Sequence, residues 1–129
     1  MLFRSRVVEN GRLVIEVRDE EGKLEFPVPQ RLLPAIASRT GEQVQLGLRP
    51  ETIAKRGTHQ KSVELYSFER AIDVVEPTGP DTMLVFTLGG IEAIARVHPD
   101  EAAPPGTSFP FEVNMDKAKI FDGKTGKRL

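Results

Sequence analysis

The stretch VQLGLRPETI, residues 44–53, decides the fold class when it is read with the ending IFDGKTGKRL, residues 120–129. The first begins as an apolar strand and ends at Arg49-Pro50, because proline fixes φ and holds the preceding residue extended. The second is a short strand that stops at a turn between Gly123 and Gly126. Short strands that end at Pro and Gly predict β structure.

The rest of the chain repeats this pattern of short apolar runs broken by Gly, Pro and Asp. Asn10-Gly11 and Gly89-Gly90 predict tight hairpins, because these residues tolerate positive φ. One short helix is predicted to end near Arg39. Strands are predicted at 3–8, 13–18, 24–26, 44–48, 62–75, 83–88, 91–97, 109–113 and 119–121. This pattern predicts an all-β fold with one short helix, an OB-fold-like β-barrel with strand extensions.

The composition describes a single globular domain. The 129 residues fit one domain, 39% are hydrophobic and 29% are charged. The formal net charge is -1, so no nucleic acid is expected as a partner, because phosphate binding needs a basic excess. The chain has no cysteine, which excludes disulfides and thiolate sites. No apolar run approaches the ~20 residues of a membrane span.

The tripeptide Arg49-Pro50-Glu51 has two interpretations. Pro50 suits the first position of a helical turn, and Glu51 lies where the positive end of that turn favours a carboxylate. In one interpretation, this is a strand-to-turn corner held by contact between Arg49 and Glu51. In the other, the two side chains contact a second subunit. The residues alone leave both open.

No catalytic, cofactor or metal site is predicted from the residues. Gly123-Lys124-Thr125 lacks the glycine that a phosphate-binding loop needs at position 118, which is Ala. His59 and His98 are far apart and are expected to be exposed loop residues without converging ligands. No serine sits in a nucleophile elbow. The aromatic residues are expected in the core, with a surface patch of Tyr66 and Phe68 beside Arg70 as the alternative.

Five motifs in order carry a family resemblance. They are residues 46–51, 74–79, 88–90, 94–97 and 120–129. Their order and spacing resemble the C-terminal transport-associated OB (TOBE) domain of ATP-binding subunits from sugar-type ABC importers. Such subunits often carry His before the apolar-Phe-Asp triplet, where this chain has Lys119. Any functional role of that His imidazole in the family therefore cannot be carried over to position 119.

The resemblance implies that residues 1–129 are the non-catalytic regulatory and dimerisation domain of such a subunit, without its nucleotide-binding domain. Walker A, signature and Walker B motifs are absent from the sequence, so ATP and Mg would belong to the parent subunit. The implied location is cytoplasmic, peripheral at the inner face of the plasma membrane. Arg49, Pro50, Glu51, Phe121 and Asp122 are the candidate subunit-interface or corner residues.

The implied partners are a second copy of the subunit, the parent's nucleotide-binding domain and, through the parent, membrane permease subunits. A regulatory protein of the sugar phosphotransferase system is a further implied partner. The alternative function is an OB-type barrel that binds a small oxyanion or a saccharide, since related transport-associated domains bind such ligands.

Overall fold

The computed structural model describes residues 1–59 and 64–129, which form eleven β-strands and one four-residue α-helix. The strands are β1 (Leu2–Glu9), β2 (Leu13–Asp19), β3 (Gly22–Pro27), β4 (Gln43–Gly47), β5 (Ile53–Lys55), β6 (Leu65–Ala71), β7 (Val74–Pro77), β8 (Thr82–Leu88), β9 (Ile91–Val97), β10 (Ser108–Asn114) and β11 (Lys119–Asp122). The helix α1 is Leu33–Ile36, and single 3-10 turns cover Gln30–Leu32, Pro50–Thr52, Pro99–Glu101 and Met115–Lys117. No helix in the described part of the chain is both long and apolar enough to cross a membrane.

The largest sheet has five antiparallel strands in the order β11-β4-β1-β2-β3. The two stretches quoted first are neighbours in it, because Ile120 of β11 pairs with Leu46 of β4. On the other side of β4, Leu46 pairs with Phe3 of β1. All three side chains are fully buried. The alternation of the strands therefore directs one face of this sheet into the core.

Two three-stranded sheets complete the fold, in the orders β5-β10-β6 and β7-β8-β9. All three sheets contribute to one hydrophobic cluster. Its largest fully buried side chains are Phe3, Ile15, Phe26, Ile36, Leu46, Ile53, Ile72, Leu84, Phe86, Leu88, Phe111 and Met115. The all-β class, with antiparallel sheets and one short helix, is confirmed.

Both predicted hairpins form. β1 and β2 pair with Val7 opposite Ile15, and β8 pairs with β9. The second hairpin turns at Gly89 and Gly90, whose φ angles are 60° and 80°. These left-handed conformations suit glycine, as a tight two-residue turn requires.

The single long strand predicted at 62–75 is wrong. Within the described residues this region forms β6 and β7, which lie in different sheets; residues 62 and 63 lie outside the described part. The chain changes sheets at Ile72, whose N–H donates to the Thr107 carbonyl at 2.9 Å. The next N–H, that of Asp73, donates to the Val85 carbonyl at 2.7 Å. Ile72 is apolar and buried like a strand residue, so the sequence pattern does not reveal the change.

A buried ion pair joins elements of all three sheets, and we call it the buried junction. Arg70 of β6 lies 3.4 Å from Asp19 at the end of β2, and their side chains are 9% and 6% exposed. Asp19 also accepts a hydrogen bond at 2.9 Å from the N–H of Gly89, at the β8–β9 turn. The alternative of a surface patch around Arg70 is therefore wrong; Phe68 is buried and Tyr66 half-buried, both packed with Phe26.

Candidate functional site

The Arg49-Pro50-Glu51 corner is closed by a residue that the sequence did not single out. Pro50 begins the 3-10 turn that follows β4, as expected for proline. The turn is held by Thr52, whose N–H and hydroxyl both donate to the Arg49 carbonyl, at 3.0 and 2.7 Å. Thr52 is buried, so these two hydrogen bonds to the Arg49 carbonyl hold the corner away from solvent.

One of the two interpretations predicts a contact between Arg49 and Glu51, and in the described part of the chain these side chains form no ion pair. Glu51 lies 4.0 Å from Arg96 of β9 instead, and Arg96 also lies 3.8 Å from Asp81. The turn thus places the Glu51 carboxylate within ion-pair distance of β9. Within residues 1–59 and 64–129, Arg49 takes part in no ion pair.

The other two candidate residues lie in β11 and serve different contacts. The Phe121 ring packs on Gly47, where a Cβ atom would lie only 2.9 Å from Cε2 of the ring. Asp122 begins the final turn. Its Oδ1 accepts from the N–H groups of Lys124 and Thr125 at 2.8 and 2.9 Å, and its Oδ2 pairs with Arg39 at 2.8 Å.

These contacts hold the pKa of Asp122 well below its usual range. The largest cause is the backbone hydrogen bond from Thr125, followed by that from Lys124 and the hydrogen bond from Arg39. All three favour the charged carboxylate. Asp122 is therefore a structural acceptor for the closing turn.

Arg49 and Phe121 both line a surface groove that the sequence did not indicate. Arg49, Lys117 and Lys119 together border two adjoining surface cavities of about 470 Å³ and 190 Å³. We call these three side chains and the two cavities the cationic groove. The larger cavity is also lined by Glu51, Thr52, His59 and Asn114, and the smaller by Met1, Leu2, Gly47, Leu48 and Phe121.

Strand pairing explains why these cations meet. Gly47 of β4 is the register partner of Lys119 of β11. Arg49 follows the end of β4 by two residues and Lys117 precedes the start of β11 by two, so the antiparallel pairing brings both to the same end of the two strands. Nothing local in the sequence connects residues almost seventy positions apart. Only a prediction that β4 pairs with β11 would have shown that these cations lie close together.

Within the described residues, no carboxylate forms an ion pair with the groove cations. In the described part of the chain neither Lys117 nor Lys119 forms an ion pair, and the same holds for Arg49. Residues 60–63 are Gln, Lys, Ser and Val, so they contain no carboxylate either. Glu51 is the only acidic residue that lines the groove, and it faces Arg96. The groove is therefore positive although the chain carries a net charge of -1.

A buried glutamate positions His59 at the groove. Glu112 of β10 is 3% exposed, and its two oxygens accept from the N–H groups of Gly57 and His59 at 3.1 and 2.8 Å. The His59 ring lies with Nε2 3.1 Å from the Thr52 carbonyl, which can only accept, so Nε2 carries the proton. His59 is half-buried, so its expected exposure is wrong; His98 is exposed as expected.

The segment that carries Lys117 is held from two sides. Asn114 Oδ1 accepts from the Asp116 N–H at 3.0 Å and thereby caps the 3-10 turn. Arg31 Nε donates to the Asp116 carbonyl at 3.1 Å, and its Nη2 donates to the Ala118 carbonyl. The wall of the groove is thus fixed independently of its lysines. No three metal-binding side chains converge within the described residues.

Comparison with known proteins identifies ATP-binding proteins of ABC transporters that are similar to this chain in sequence. No protein-family profile matches the chain. It is 31% identical over 88 residues to the sn-glycerol-3-phosphate import ATP-binding protein UgpC of Cupriavidus metallidurans, covering 68% of this chain and 23% of the relative. It is 28% identical over 127 residues to the ABC transporter ATP-binding protein YcjV of Escherichia coli, covering 97% of this chain and 32% of the relative.

The sulfoquinovosyl glycerol transport ATP-binding protein SmoE of Agrobacterium fabrum is 29% identical over 99 residues, covering 75% of this chain and 28% of the relative. The chain thus spans about a quarter to a third of the length of these curated relatives.

Among solved structures, the chain is similar to the cytoplasmic molybdate-binding protein ModG. The TM-score is 0.64 at 14% identity, over 93% of this chain and 94% of that one. At this identity the likeness shows the fold alone. The family resemblance drawn from the five motifs is confirmed. The chain is a TOBE-type OB-fold domain related to the ATP-binding subunits of sugar-type ABC importers.

Proposed function

We propose that this chain is the non-catalytic regulatory and dimerisation domain of an ABC importer ATP-binding subunit for carbohydrate uptake. The observation that carries the proposal is the match to an ATP-binding protein over 97% of the chain. The relatives named for sn-glycerol-3-phosphate import and sulfoquinovosyl glycerol transport support a carbohydrate-type substrate. No residue of this chain is assigned a catalytic role.

The fold suits such a role. Three sheets share one hydrophobic core and are joined at the buried junction. A domain of this kind attached to each ATPase keeps the two subunits at high effective concentration while their nucleotide-binding domains open and close. Occupation of its surface by another molecule would bias that equilibrium.

The proposed partners follow from this role. They are a second copy of the subunit, the nucleotide-binding domain of the parent, permease subunits reached through the parent, and a phosphotransferase-system regulatory protein. ATP and Mg would bind the parent's nucleotide-binding domain and not this chain. The proposed location is the cytoplasmic face of the plasma membrane, reached through the transporter. The candidate interface residues remain Arg49, Pro50, Glu51, Phe121 and Asp122.

The test compares the complete ATP-binding subunit with a form that lacks this domain. We expect deletion to weaken dimerisation in light scattering and to uncouple ATP hydrolysis from the transport substrate in reconstituted vesicles. ATP binding by the remaining domain, measured by equilibrium titration, is the control that it still folds. Unchanged dimerisation together with unchanged substrate control of hydrolysis would refute the proposal.

A second candidate function is a barrel that binds a small oxyanion or saccharide. The observation that favours it is the uncompensated charge of the cationic groove. ModG, which shares the fold, is a molybdate-binding protein with molybdate bound in its structure. A thermal-shift series with molybdate, sulfate, phosphate and neutral sugars tests this candidate. Unfolding temperatures that none of these ligands raises would count against it.

A further inference from the structure

We propose that the cationic groove binds the phosphoryl group of a small phosphorylated metabolite. This inference specifies the ligand class and the place for the second candidate function, on which it rests. Because Arg49, Glu51 and Phe121 line the groove and are also candidate interface residues, dimerisation is measured separately.

The first support is the cost of the arrangement without a ligand. Arg49 and Lys117 lie just beyond the paired ends of β4 and β11, and with Lys119 they border the same two cavities. Like charges held close together repel each other, which raises the free energy of the folded chain. Arg39 and Arg70, by contrast, are paired with Asp122 and Asp19. A bound dianion would supply the missing counter-charge.

The second support is the balance of donors and acceptors. The Arg49 guanidinium presents a planar fork of N–H groups that matches phosphate, and each lysine adds an ammonium. Asn114 uses its Oδ1 on the Asp116 N–H, so its amide N–H groups remain as donors. Glu51, the one carboxylate in the lining, lies towards Arg96. The groove therefore offers donors and positive charge to a ligand rich in acceptors.

The third support is that the walls are already in place. Thr52 closes the turn after Arg49, and Glu112 holds the loop of His59. Arg31 and Asn114 hold the turn of Lys117. A site whose walls are set before the ligand arrives loses less free energy to ordering on binding.

The size of the groove indicates an organic phosphate over a bare ion. The larger cavity, about 470 Å³, lies within the range of about 300–1,000 Å³ that small-molecule sites occupy. The smaller cavity adds an apolar floor of Leu2, Leu48 and Phe121 next to the same cations. The phosphoryl group would contact the three cations, and the remainder of the ligand would extend into the cavities.

The experiment is a calorimetric titration of the chain with a hexose monophosphate, the matching hexose and inorganic phosphate. The test variant is Lys117→Gln/Lys119→Gln. The matched control is Lys124→Gln/Lys127→Gln, which removes the same charge from exposed residues of the final turn. Arg49→Gln is the second test variant, and urea unfolding verifies that each protein is folded.

We expect the monophosphate to bind at least about tenfold more tightly than the hexose, and inorganic phosphate to compete with it. Both test variants should lose about tenfold or more in affinity, and the control variant should retain it. Equal binding of hexose and monophosphate would overturn the proposal while leaving a saccharide barrel possible. Equal losses of affinity in the test and control variants would show that the phosphoryl group does not bind in the cationic groove. Dimerisation is measured separately, by light scattering of the parent subunit with and without Lys117→Gln/Lys119→Gln, because neither lysine is a candidate interface residue.

Discussion

The buried junction and the cationic groove are both charged clusters that strand pairing assembles from distant residues, yet they differ in every other respect. In the junction, Asp19 and Arg70 are nearly inaccessible and face each other at 3.4 Å. In the groove, Arg49 and Lys117 are exposed and no carboxylate pairs with them in the part of the chain that the structure describes.

Both carboxylate oxygens of Asp19 accept hydrogen bonds within the fold. Asp19 accepts from the N–H groups of Glu21 and Gly89 at 3.0 and 2.9 Å, in addition to its contact with Arg70. Arg70 Nε lies 3.0 Å from Glu21 Oε2, but its N–H is not aimed at that oxygen and makes no hydrogen bond within the described residues. The junction charges interact with each other inside the fold, whereas the groove charges are available to bind another molecule.

The largest effect is expected from breaking the junction with Asp19→Ala. The substitution removes the buried partner of Arg70 and leaves only the exposed carboxylate of Glu21 near it, which costs up to about 3–5 kcal/mol of unfolding free energy. Urea denaturation measures the loss. Glu20→Ala, at the exposed neighbouring residue, is the control and should remain within about 0.5 kcal/mol of the parent. A loss below about 1 kcal/mol for Asp19→Ala would show that the junction is not a determinant of stability.

Removing both junction charges sharpens the comparison. In Asp19→Asn/Arg70→Met no charge remains buried, and replacing a buried ion pair by uncharged groups is often neutral. We expect the double variant to be more stable than the sum of the two single variants by about 0.5–3 kcal/mol. A double-mutant cycle in urea measures this coupling. Strict additivity would mean that the two side chains act independently.

Asp122 is an intermediate case, because it is partly accessible yet fully hydrogen-bonded. Its pKa is lower in the folded chain than the value of about 4 in an unfolded one. The folded state therefore binds fewer protons, so the contribution of Asp122 is complete above about pH 5 and decreases as the pH falls.

Asp122→Asn should accordingly flatten the loss of stability between about pH 5 and pH 3. Unfolding curves of both proteins across this range measure the difference. Asp100→Asn, at a side chain that is 92% exposed, is the matched control. An acid dependence that is the same in Asp122→Asn and the parent would contradict the assignment.

The smallest effect on stability is expected in the groove. Arg49→Gln/Lys117→Gln/Lys119→Gln removes three charges that have no carboxylate partner in the described structure. The unfolding free energy should change by no more than about 0.5 kcal/mol, as is usual for surface substitutions. Urea denaturation at low salt measures it. A loss comparable to that of Asp19→Ala would remove the distinction between the two regions.

Much of the fold was predictable from local patterns. The Asn-Gly and Gly-Gly turns marked both hairpins, and alternation of apolar residues marked most strands. The break between β6 and β7 was not predictable, because Ile72 continues the apolar pattern while its backbone changes partners. The role of Arg70 was missed for a related reason. A charged residue on a strand is usually exposed, and only its partner Asp19 reveals that it is buried.

The candidate site was less predictable than the fold. The sequence located the Arg49-Pro50-Glu51 corner and its proline turn, but it did not indicate Arg96 as a partner of Glu51. It also missed Thr52, which closes the corner, and Glu112, which holds the loop of His59. A buried Glu and a buried Thr resemble surface residues in a sequence, since their partners are backbone groups: the Arg49 carbonyl for Thr52, and the N–H groups of Gly57 and His59 for Glu112.

The sequence by itself determined the fold class and the family, because turns, alternation and motif order are local properties of the chain. Only the tertiary structure decided how its charges are used. The pairing of β4 with β11 brings Arg49 to Lys117 and Lys119, and the meeting of three sheets buries Arg70 with Asp19. Electrostatic interactions act through space between side chains far apart in sequence, so whether a charge stabilises the fold or remains available to a ligand depends on the folded neighbours it meets.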